Sequence, residues 1–82
     1  MILTVELSMY PLNENYVEPI LAFIAELNAR KELTVNTTAT ATTVTGEYES
    51  VMLVLTELFL WSHQKHGKAI FVAKFIPGFD PR

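Results

Sequence analysis

The chain has 82 residues, no cysteine, 50% hydrophobic and 18% charged residues, and a formal net charge of −3. One core is the most that such a length supports, a disulfide framework or thiolate metal site is excluded, and six scattered basic residues do not make the footprint of a nucleic-acid binder. A core this small buries only roughly 60% of the unfolded surface, so the apolar excess predicts further burial against another copy of the chain.

The opening Met1-Ile2-Leu3-Thr4-Val5-Glu6 has no basic segment ahead of its apolar residues, and Glu6 interrupts the run early. The apolar-rich stretch 51–61 contains Thr56 and Glu57 and falls short of the ~20 residues that a membrane helix needs. A soluble, cytoplasmic protein is expected.

Residues 2–10 alternate, with Leu3, Val5, Leu7 and Met9 on one side and Thr4, Glu6, Ser8 and Tyr10 on the other. Period two predicts a half-buried strand, which Pro11 ends by removing a ladder donor. Within 13–31, Val17, Ile20, Leu21, Ile24 and Leu27 follow the spacing of one helical face. Asn13 or Asn15 is a candidate cap, the regular part should begin between Tyr16 and Pro19, and Arg30 and Lys31 suit the negative end of the helix dipole.

Residues 37–46 read Thr-Thr-Ala-Thr-Ala-Thr-Thr-Val-Thr-Gly, six threonines in ten. Threonine favours strands yet keeps a hydroxyl that donates and accepts, so this segment is either a sheet element with a solvated face or the polar lining of a ligand site. Two strands are expected, over 33–38 and 39–45, with a bend or bulge near 38–40 and Gly46 closing the second. Glu47 and Glu49 suit a helix N-terminus, and the next helix should run over 48–66 with Gly67 as its cap. Val51, Val54, Leu55, Leu58 and Ser62 form its core stripe. Met52, Leu53, Phe59, Leu60 and Trp61 extend round the side, a girdle that predicts either a subunit contact or burial against the C-terminal tail.

A last strand is expected over 68–76, with Ala69, Phe71, Ala73 and Phe75 on one face; Pro77, Gly78 and Pro81 then break regular structure. The order strand, helix, strand, strand, helix, strand is the ferredoxin-like βαββαβ pattern of an α+β fold, a single domain over residues 1–82. It implies a four-stranded antiparallel sheet, the first and third strands central, with two helices on one face.

Catalytic chemistry has little to work with. His63 and His66 lack further ligands at metal spacing and read as solvated residues at a helix C-terminus. Glu47 and Glu49 fall on different sides of a helix, and no glycine-rich phosphate loop or nucleophile elbow is present. The chain is expected not to be an enzyme and to carry no cofactor or metal. What remains is a surface across the central strands, where Glu6, Ser8 and Tyr10 come within cross-strand reach of alternate residues of the threonine segment. A carboxylate, hydroxyls and a phenol suit a flat, neutral or cationic heteroaromatic ligand. The alternative is a solvated sheet face with Glu6 paired to Lys74.

Ser8-Met9-Tyr10-Pro11-Leu12, Tyr16-Val17-Glu18-Pro19-Ile20 and Thr42-Thr43-Val44-Thr45-Gly46-Glu47, in this order and spacing, resemble the YkoF-like thiamine-binding family along nearly the whole chain. The resemblance implies a self-associating ferredoxin-like subunit that binds thiamine or hydroxymethylpyrimidine without transforming it. It nominates Ser8 and Tyr10 from the first motif and Thr42 and Thr43 from the last; strand geometry adds Glu6 and Thr40. Met52, Leu53, Phe59 and Leu60 are the expected interface of a dimer or tetramer. Two rivals stand beside this reading: an oligomerisation module with no small-molecule ligand, and a small enzyme using Glu6 as general base.

Overall fold

The computed structural model describes residues 1–82. Its elements are β1 (Ile2–Pro11), α1 (Val17–Asn28), β2 (Thr34–Thr37), β3 (Thr42–Glu47), α2 (Tyr48–His66) and β4 (Ala69–Pro77). The sheet order is β2-β3-β1-β4 with every neighbouring pair antiparallel, and both helices lie on one face. This is the ferredoxin-like arrangement.

Alternation in β1 produces the division of the sheet. Leu3, Val5 and Leu7 are buried beneath the helices, together with Val44 of β3. Phe23 and Leu27 of α1 and the stripe Val51, Val54, Leu55 and Leu58 of α2 close the core from above, each large side chain contributing about 1.5–3 kcal/mol. Gly46 stands opposite Leu3. A side chain there would meet the Glu32 carbonyl and a Leu33 methyl, both at 3.2 Å, so close approach rather than a turn requires glycine. Gly67 does end α2, with φ of 81° and its N–H donating to the His63 carbonyl at 2.9 Å.

Four expectations are corrected. Neither Asn13 nor Asn15 caps α1: Tyr16 occupies the cap position with no side-chain bond, and the Asn15 amide donates instead to Glu18 at 2.8 Å. Arg30 and Lys31 lie beyond the last helical turn, where Arg30 pairs with Glu57 of α2 at 3.0 Å. Phe59 is half-buried within the chain rather than part of an exposed girdle. Its ring packs 4.6 Å from Phe71 and 6.1 Å from Phe23, because it stands one turn beyond Leu55 and leans toward α1. His66 is half-buried rather than solvated, edge-on to Trp61 at 5.8 Å, and its Nε2 has no partner.

The tail after β4 has a structural role that composition hid. It folds back across the open face of the sheet, where the Gly78 N–H donates to the Ile2 carbonyl at 2.7 Å and the Thr4 hydroxyl to the Phe79 carbonyl at 2.6 Å. Thr4 and Thr45, on the face opposite the helices, are consequently 2% and 1% exposed. Arg82 clasps Asp80 through two charge-assisted bonds of 2.8 and 3.0 Å and reaches Thr34 at 3.3 Å.

Candidate functional site

Strand lengths create a cavity. β3 pairs with β1 only as far as the Leu7–Thr42 position, while β1 continues to Pro11 beside β4. Residues 8–11 therefore have no strand on their β3 side. The connection from β2 to β3 crosses this gap as a tight turn in which the Thr38 N–H donates to the Ala41 carbonyl at 2.8 Å. Its small residues, Ala39 and Ala41, do not fill the space, and α1 roofs it with Tyr16, Ile20, Phe23 and Ile24. The result is a half-open cavity of about 480 Å³, within the size range of small-molecule sites.

The cavity is apolar above and rich in hydroxyls along its strand side. Ser8, Tyr10, Thr40 and Thr42 all line it, joined by Thr37 and Thr38. Several of these hydroxyls are already engaged. Ser8 donates to the Thr40 carbonyl at 3.1 Å, Thr38 to the Ala41 carbonyl at 3.2 Å, and Thr37 and Thr42 share one bond of 3.2 Å. The Thr40 hydroxyl and the phenols of Tyr10 and Tyr16 make no hydrogen bond within the chain, which leaves them free to meet a ligand.

Two of the six expected ligand residues stand elsewhere. Glu6 pairs across the sheet with Thr43 on one side and Lys74 on the other, on the face away from the helices. Its carboxylate lies 3.6 Å from the Lys74 ammonium, the cross-strand pairing expected of a solvated sheet face, and it does not line the cavity. Thr43 shares that face, in a separate polar cleft of about 290 Å³ with Thr34, Asn36, Thr45 and Arg82. Thr42 lines the cavity and Thr43 does not, because consecutive strand residues point to opposite faces; Ser8 and Tyr10, on the same face of β1 as Glu6, border the cavity only along the strand edge that β3 leaves open. Thr42 opposite Leu7 is turned under α1; Thr43 opposite Glu6 is turned away. The expected cross-strand meeting of Ser8 and Tyr10 with the threonine strand is likewise corrected: β3 has ended before it reaches them, and the turn takes its place.

Sequence reasoning missed the α1 side of the cavity. Ile20 and Ile24 carry the spacing of a buried face, but nothing in that spacing distinguishes a residue against the sheet from one roofing a gap. The missed signal was the mismatch between a ten-residue β1 and a six-residue β3. Of the α2 girdle, Leu53 and Leu60 are 61% and 58% exposed, with Met52 at the surface beside them and Phe59 half-buried against the core. No helix is long and apolar enough to cross a membrane.

Fold and cavity together define a ferredoxin-like domain with a small-molecule-sized pocket between its first helix and the end of its first strand. Comparison with solved structures gives the same fold. A protein from Streptococcus pneumoniae is 23% identical at a TM-score of 0.87, covering 96% of this chain and 89% of its own. A "putative thiamine biosynthesis/salvage protein" from Thermotoga maritima is 22% identical at a TM-score of 0.82, covering 92% and 82%. A domain of unknown function from Bacillus cereus is 17% identical at a TM-score of 0.72, covering 99% and 78%. No family model and no curated protein matches the chain.

Proposed function

We propose that this chain is a YkoF-like protein that binds thiamine or its hydroxymethylpyrimidine precursor, without transforming it, in the cavity beneath α1. The observation that carries the reading is the pocket itself, an apolar slot of about 480 Å³ edged by Ser8, Tyr10, Thr40 and Thr42. A flat ring fits between apolar walls, and neutral donors and acceptors along one edge suit ring nitrogens and an exocyclic amine. The three sequence motifs support it, as does the thiamine-related description of a Thermotoga maritima protein of the same fold. A lining without carboxylate, imidazole, amine or thiol supports binding without turnover; Glu6, the candidate base, is paired with Lys74 on the other face.

Calorimetric titration with thiamine and with hydroxymethylpyrimidine tests the reading. Binding that is lost in Ser8→Ala, Thr42→Val and retained in Thr43→Val supports it, and no heat at millimolar ligand refutes it.

A second reading rests on a separate observation. Leu53 and Leu60 on α2, and Ile70, Val72 and Ile76 on the open face of β4, are exposed, which suits a chain whose function is assembly. The two readings are compatible in a homo-oligomer, either dimer or tetramer, that also binds a ligand. Light scattering separates them: under the assembly reading Leu53→Ser, Leu60→Ser lowers the mass, whereas Ser8→Ala, Thr42→Val leaves it unchanged under the ligand reading.

A further inference from the structure

We infer that the pocket accepts only an uncharged or cationic ligand and rejects phosphate esters, an inference that rests on the pocket being the ligand site. No lysine, arginine or histidine lines it. A phosphoryl group carries about −1.5 to −2 charges at neutral pH and three strong acceptor oxygens. Drawing it out of water without a cation leaves that charge uncompensated.

Every basic side chain is accounted for elsewhere. Arg30 is bound to Glu57, Lys74 to Glu6 on the far face, and Arg82 to Asp80. Lys65 lies over the Trp61 ring, 5.7 Å from its centre. Lys31 lies in the turn after α1 and is not among the lining residues. Lys68 precedes β4 and is not among the lining residues, although Phe71 of β4 is.

Backbone donors at the start of α1 do not substitute for these cations. The mouth of the pocket borders the start of α1, where unpaired N–H groups would ordinarily attract an anion. Here the helix opens Val17-Glu18-Pro19. Pro19 has no N–H to offer at the third position. Glu18 already places a carboxylate in the first turn, where Asn15 holds it at 2.8 Å. Side-chain donors are equally few, because the Ser8 and Thr38 hydroxyl protons go to main-chain carbonyls. The hydroxyls left free, Thr40, Tyr10 and Tyr16, match the one or two bonds of an alcohol or a ring nitrogen and fall short of a phosphate.

The experiment is a calorimetric comparison of hydroxymethylpyrimidine with its phosphate ester, and of thiamine with thiamine monophosphate, on the unmodified chain and on Thr40→Lys. The free compounds are expected to bind the unmodified chain about tenfold or more tightly than their esters, and the added cation in Thr40→Lys to narrow that ratio. Esters binding the unmodified chain as well as the free compounds do would overturn the inference while leaving the ligand reading intact. Neither form binding would overturn both. A ratio that Thr40→Lys leaves unchanged, while circular dichroism shows the variant folded, would refute the electrostatic cause.

Discussion

Truncating Phe59 to Ala decides whether the side of α2 next to its core stripe belongs to this chain's interior or to an interface. The Phe59 ring lies 4.6 Å from Phe71 and 6.1 Å from Phe23, and those two lie 5.0 Å from each other. Removing a buried phenyl ring costs about 3–5 kcal/mol. Phe59 is half-buried, which reduces the expected loss to about 2–3 kcal/mol. A domain of this size has roughly 4–12 kcal/mol of stability in total, so the melting temperature should fall by roughly 10–20 °C. Leu60→Ala, at a position 58% exposed, should stay within about 0.5 kcal/mol in the monomer. Urea unfolding followed by circular dichroism and by the fluorescence of Trp61, at two protein concentrations, measures both. A Phe59→Ala loss below about 0.5 kcal/mol that grows with protein concentration would refute the core assignment and restore Phe59 to the interface.

Gly46→Ala should destabilise by about 1–3 kcal/mol, since the added carbon meets the Glu32 carbonyl at 3.2 Å and main chain does not yield as a side-chain tip would; chemical denaturation checks it. Ser62→Ala should be stabilising by about 1 kcal/mol, because the buried Ser62 hydroxyl has no partner and its desolvation is uncompensated; a fall in the denaturation midpoint would contradict this. Arg82 holds the Asp80 carboxyl down to about 2 from its ordinary 3.8, chiefly through the side-chain hydrogen bond. A depressed carboxyl favours the folded tail above its ordinary value and loses that contribution as pH falls. The amide of Arg82, which donates to Asp80 at 3.0 Å, should therefore exchange faster as pH is lowered from about 4 to about 2, relative to neighbouring amides corrected for intrinsic rate.

Much of the fold was legible because its signals are local. The alternation of residues 2–10 put Leu3, Val5 and Leu7 in the core, and the 3.6-residue spacing from Val51 to Ser62 picked out the stripe of α2 that is buried. Gly67 marked the helix end through its own backbone geometry. The site was less legible because it depends on where strands stop relative to one another. Composition cannot say that β3 ends opposite Leu7, and that single register decides that Thr42 faces α1 while Thr43 and Glu6 face away. The fate of Phe59 depends on the tilt between two helices, and the cover over Thr4 depends on a tail with no periodicity. Ser8, Tyr10, Thr40 and Thr42 meet because a long strand outruns its short neighbour.

The central claim, that a small heteroaromatic ligand sits under α1, is tested most directly by titrating isotopically labelled chain with hydroxymethylpyrimidine and following the amide and methyl resonances. The account predicts that shifts concentrate in residues 8–11 and 37–42 and in the methyls of Ile20 and Ile24, with Thr45 and Lys74 unmoved. Shifts concentrated instead on Glu6, Thr43 and Lys74 would move the site to the open face and contradict it.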